Sequence, residues 1–159
     1  MNDRVALKLH ACEKHLENLR QMKLIYEGSQ ANNQELNHTR INLETEIDCL
    51  ISQMIGIIDC LLVQTNNKIG LGIPLHQISI DRVMSELYSK TNKIDLLVGL
   101  NEARQHGKWY WSVIELRNRS LTTSFDLNKR NPDLISFLEE CFKRVKALIK
   151  DIKNKEPLE

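Results

Sequence analysis

Residues 43–63 read LETEIDCLISQMIGIIDCLLV, and the fold turns on how this stretch is packed. Leu43, Ile47, Leu50, Met54, Ile57 and Leu61 recur at threes and fours, which is one apolar stripe of an α-helix. Ile51, Ile55, Ile58 and Leu62 form a second stripe beside it. A surface helix needs one stripe. Two adjacent stripes predict a helix covered on more than one side, so residues 37–68 are read as the central helix of a bundle. The longest apolar run, Met54 to Val63, is broken by Asp59 and is too short to span a bilayer.

Upstream, Val5, Leu9, Cys12, Leu16, Leu19, Met22 and Tyr26 make a single clean stripe, predicting a helix over 3–27 that Gly28 and Ser29 end. Downstream, GLGIP at 70–74 is the strongest breaker in the chain. No preceding strand and no following GK[ST] accompany it, so it is read as an inter-helix connection and not a phosphate loop. Ser79 is placed as the N-cap of a third helix over 80–89. A fourth is predicted from Asn92 to 105, and a fifth over 108–122 after Gly107. A sixth starts at Asn131-Pro132, with the proline at the first helical position. Its apolar stripe runs from Ile135 through Leu138, Phe142, Val145 and Leu148 to Ile152. No stretch alternates with period two. The prediction is one all-α domain over 1–159, an up-and-down bundle of five or six helices.

Composition narrows the function classes. The 159 residues have a net charge of +1, so no global field drives the chain toward nucleic acid or membrane. Residues 71–130 carry nine basic and six acidic side chains, so a basic surface is expected only locally, around 104–119. The lysine-rich end of the sixth helix complements the helix dipole and is read as a solvated terminus. Cys12, Cys49, Cys60 and Cys141 form no CxxC pair and are read as free thiols in a reducing compartment. The N-terminal MNDRVALKLHACEKHLENLR has charges every few residues, so no signal peptide is expected and a cytoplasmic location is. The five histidines lack ligand spacing, and neither a metal nor a cofactor is expected.

The fifth helix carries the one anomaly, in the text KWYWSVIELRNRSLTTS at 108–124. Turned at about 100° per residue, Trp109, Tyr110, Val113, Ile114, Leu116 and Leu121 fill one arc. Glu115 and Arg119 lie opposite, four residues apart, and are expected to pair. Arg117 falls inside the apolar arc. An unpaired guanidinium there is costly, so it must meet a carboxylate, open into a cleft or lie at a subunit interface. Asp48 and Asp59 are eleven residues apart, near three turns, on one face of the central helix. One of them is the expected ion-pair partner.

A tryptophan-rich helix running into LRNRS at 116–120, near the end of an all-helical chain of this size, resembles the HEPN superfamily. GLGIP after a long central helix adds a second likeness. The resemblance implies a helical bundle, usually dimeric, in a family with many ribonucleases of toxin–antitoxin, abortive-infection and RNA-processing systems. The family motif is an arginine, often followed by a polar residue such as asparagine, with a histidine about four to six residues after the arginine. Arg117 matches the arginine and Asn118 the polar follower. Thr122, Thr123 and Ser124 stand where the histidine would be, and no histidine follows His106. Arg4 and His10 have the spacing without the asparagine or the tryptophan context, and the match is taken as chance.

The resemblance spans most of the chain as architecture and about ten residues as motif. It implies RNA or nucleotide binding at Arg117, Asn118, Arg119, Arg104 and Lys108, supported by Asp59, Asp48 and Thr122. No catalytic residue is assigned, since a hydroxyl is a poor general base near neutral pH. The other reading is a non-catalytic, dimeric protein-interaction module. A homodimer is expected through the fourth or fifth helix, with Trp111 at the arc's edge free to meet a partner. No membrane partner is expected.

Overall fold

The structure, a computed structural model, describes residues 3–28, 33–121 and 127–155. Among these residues six α-helices follow in order: α1 Asp3–Gly28, α2 Asn33–Ile69, α3 Ile80–Lys90, α4 Val98–Ala103, α5 Trp109–Ser120 and α6 Leu127–Lys155. Short 3-10 turns at Leu75–Gln77 and Ile94–Leu96 precede α3 and α4. Among the described residues there is no strand, and the chain is an all-α bundle. No described helix is long and apolar enough to cross a membrane.

The two stripes of α2 explain the architecture. Every apolar residue of both stripes is buried. α1, α3, α5 and α6 all pack against α2. α1 lies antiparallel to it: Lys8 meets Gln53, and His15, seven residues on, meets Glu46, seven residues back. α6 runs antiparallel to α1 in turn. Arg20 Nε donates to Glu139 Oε1 at 2.7 Å, and Lys146 Nζ to Glu13 Oε1 at 3.2 Å. These rim pairs fix register more than they add stability. Cys12 and Cys141 lie in the same core, and burial pushes both thiols up to about 12.

Ser79 caps α3 as expected, its side chain accepting from the Arg82 amide at 3.2 Å. Three boundaries differ from the sequence reading. α2 begins four residues earlier than 37. The helix expected over 92–105 is instead a 3-10 turn followed by the short α4. Leu97, fully buried at φ −121° and ψ 10°, interrupts it. α6 begins at Leu127, so Pro132 stands in its second turn and not at its first position. Proline there lacks the amide for one i→i−4 bond, a loss the rest of a 29-residue helix outweighs.

The GLGIP connection is a tight turn, with Gly70 at φ 68° and Gly72 at φ 76°. L-residues with a Cβ adopt that region at a cost. Asn66, one of two buried polar residues among those described, holds the turn from inside. Its Oδ1 accepts from the Ile73 amide, and its Nδ2 donates to the Ile73 carbonyl, both at 3.0 Å. Lys90 of α3 donates to the Leu71 carbonyl at 2.7 Å from the other side.

Candidate functional site

α5 turns Tyr110 and Val113 into the core. Arg117 follows one turn after Val113, on the same side. The helix wheel therefore has its direction right. It does not have its depth: Arg117 is exposed, because the last turn of α5 runs past the core. Leu121, one turn further, is 78% exposed.

The expected salt bridge is likewise replaced by a looser arrangement. Among the described residues no carboxylate comes within ion-pair distance of Arg117, and Asp48, half-buried, is not its partner. Asp59 feels the guanidinium across a longer gap. Asp59 is exposed, but atoms packed on one side of its carboxyl raise it from its ordinary value, which the positive charges of Arg117 and then Lys8 oppose. Asp48, eleven residues away along α2, stands roughly 16 Å up the axis. Tyr110, 6% exposed, joins the same group. Burial raises its phenol well above the usual value, Asp59 adds to the rise and Arg117 opposes it.

Lys8 is the residue the sequence reading missed. It reaches from α1 across α2, and its Nζ donates to Gln53 Oε1 at 3.2 Å. The close approach depends on Gly56. A Cβ at that position would stand 2.6 Å from Lys8 Nζ and 2.9 Å from its Cε. A glycine midway along the most strongly helical stretch was the available signal, since it costs about 0.5–1 kcal/mol against alanine. The charges of Arg117 on α5 and Lys8 on α1 both act on Asp59 of α2, and Asp59 and Arg117 both act on Tyr110.

The other expected site residues are placed elsewhere. Arg104 forms a two-pronged pair with Asp81 of α3, Nη1 to Oδ2 at 3.1 Å and Nη2 to Oδ1, while its Nε donates to Asn101 at 3.1 Å. Arg119 pairs with Glu115 at 2.6 Å, as expected. By helix geometry Arg119 and Lys108 project roughly 180–200° from Arg117 around α5. Asn118 is exposed, about 100° from Arg117. Thr122 lies outside the described residues. Trp111, expected to be free for a partner, is half-buried and rests on His106, ring centroids 4.3 Å apart. Among the described residues no group of three metal-ligating side chains converges.

The raised carboxyl of Asp59 has a testable sign. A folded-state value above the unfolded one contributes stability that is fully present in acid and lost as pH rises through the folded value. At pH 7 the ionised carboxylate, exposed on one side and crowded on the other, is therefore expected to destabilise the fold slightly. Asp59→Asn is expected to raise the melting temperature at pH 7, and the advantage should fade as pH falls to the ordinary carboxyl range. A lower melting temperature at pH 7 would mean that attraction to Arg117 and Lys8 outweighs the crowding.

No family model, curated protein or solved structure matches this chain. What can be said of its chemistry rests on the four side chains just described.

Proposed function

We propose that this chain is a HEPN-like helical domain that binds the phosphate backbone of RNA through Arg117 and does not cleave it. The observation that carries the reading is the state of Arg117: an exposed guanidinium without an ion-pair partner among the described residues, on the same side of its helix as the buried Tyr110 and Val113, with its charge felt by Asp59 only across a longer gap. A guanidinium presents five N–H donors in a planar fork suited to phosphate oxygens. The LRN text around it supplies the family likeness, and the missing histidine removes the group that would move protons. Binding of a labelled 12-nucleotide RNA, followed by anisotropy from 50 to 200 mM salt, tests this. Arg117→Ala is expected to weaken binding several-fold and to reduce the slope of log K against log salt by about 0.7, one phosphate contact on a single strand. Equal binding by wild type and variant at every salt concentration overturns the reading. With chelator present, no turnover of the RNA is expected.

A dimeric interaction module is the second reading. Leu24 and Ile25 of α1 and Ile41 of α2 are exposed and lie toward the same end of their antiparallel pair. Sedimentation across a concentration series distinguishes it. A monomer at tens of micromolar protein removes this reading.

A further inference from the structure

We propose that His106 and Trp111 form a platform on which an unpaired RNA base stacks. The proposal rests on the RNA-binding reading and extends it from phosphate, held by Arg117, to the bases. The ring centroids of His106 and Trp111 lie 4.3 Å apart, with the planes tilted by 46°. His106 stays exposed although Trp111 lies against its ring, so imidazole surface is left for a further planar group. Core packing does not account for the pair. Trp109, Ile114 and Leu116 of α5 pack against the buried cluster, whereas Trp111 does not, although it is half-buried. A tryptophan off the core, met by an exposed histidine, is aromatic surface of the kind on which bases stack.

The local chain presents this surface and gives it little net charge. Residues 105–108 are all exposed. Gly107, at φ 76°, turns the chain into α5, and the Lys108 amide closes the turn on the Gln105 carbonyl at 2.9 Å. His106 is therefore held in place before a ligand arrives. Arg104 is paired with Asp81 and Glu115 with Arg119, while exposed Lys108 is offset by exposed Glu102. Balanced charge around stacked rings selects a planar group more than a phosphate. Trp111 stands roughly 9 Å along α5 from Arg117 and about 120° around it, so one strand crossing the helix meets both.

The experiment compares the labelled RNA with an abasic oligomer of the same length and charge, by anisotropy across the same salt series. Each variant is checked for an intact helical spectrum and a cooperative melt. Wild type should bind the RNA about five-fold or more tighter than the abasic oligomer, the low end for one stacked base. His106→Ala should lose that preference and keep the wild-type salt slope, because no phosphate contact is removed. Trp111→Leu should do the same, and His106→Phe, which keeps a ring, should retain the preference. Arg117→Ala should weaken binding of both oligomers and lower the slope. Wild-type preference in His106→Ala, or no preference in wild type, overturns the platform and leaves Arg117 to stand on its own result. Loss of the preference in His106→Ala with wild-type slope in Arg117→Ala keeps the platform and overturns the Arg117 reading. Self-association that His106→Ala abolishes, with RNA binding unchanged, assigns the rings to a second copy and overturns the proposal. No binding of either oligomer by wild type overturns both.

Discussion

Ile58→Ala should lower the unfolding free energy by about 2–5 kcal/mol, the range for truncating a buried isoleucine. Ile58 is 0% exposed, and it sits near the middle of α2, the helix against which α1, α3, α5 and α6 pack. Its side chain belongs to the second of the two apolar stripes, so the cavity it leaves has packed neighbours on several helices. Collapse to fill the space would need more than one helix to shift, which places the cost toward the upper part of the range. A domain of this size is stable by only about 5–15 kcal/mol, so the loss is a large fraction of the total. Urea unfolding should show a lower midpoint with an unchanged slope. Ile41→Ala on the same helix is the control. Ile41 is exposed, and its truncation should stay within about 0.5 kcal/mol of wild type. Equal effects at both positions would mean that the two stripes of α2 do not face a common core.

The same helix shows what could be read from the chain and what could not. Both stripes of α2, the stripe of α1 and that of α6 are legible because burial repeats with the helical period over several turns. Boundaries fared less well where the signal was one residue. Pro132 suits a first helical position, but the roughly five turns that follow it from Ile135 to Ile152 support a longer helix, which extends upstream past the proline to Leu127. At Leu96 and Leu97, two consecutive buried side chains fit a helix as well as a turn, so the break before α4 had no periodic signature. Arg117 illustrates a different limit. The wheel assigns a side chain its direction around the axis but says nothing of how far along the axis the neighbouring helices reach. Lys8 was invisible for a third reason: reading each helix alone cannot reveal a contact made by packing one on another. Gly56 marked that contact, since a helix-weakening residue amid strong helix formers needs a steric reason.

Asn66→Leu is expected to cost about 2–5 kcal/mol, although leucine is apolar and branches at the same atom with the same number of heavy atoms. The side-chain amide of Asn66 donates to and accepts from the backbone of Ile73, which is 5% exposed. Leucine would leave both backbone groups without their partner inside the fold, and each buried orphan costs about 1–3 kcal/mol. Little can relieve this by movement. Gly70 and Gly72 already hold the turn in left-handed backbone, the Leu71 amide donates to the Asn66 carbonyl at 3.0 Å, and Lys90 fixes the Leu71 carbonyl from α3. The turn sets where α3 lies on α2, so the loss should appear as global destabilisation and as faster exchange of the Ile73 amide. Asn66→Asp separates hydrogen bonding from packing. It keeps an acceptor for the Ile73 amide and nearly the same shape, but sets a carboxylate against the Ile73 carbonyl. Its penalty should be larger than that of a neutral isostere at pH 7. It should shrink in acid, where a protonated carboxyl restores one donor and one acceptor. A penalty independent of pH, or a stable Asn66→Leu variant with an unchanged Ile73 exchange rate, would show that the turn holds its shape without this clamp.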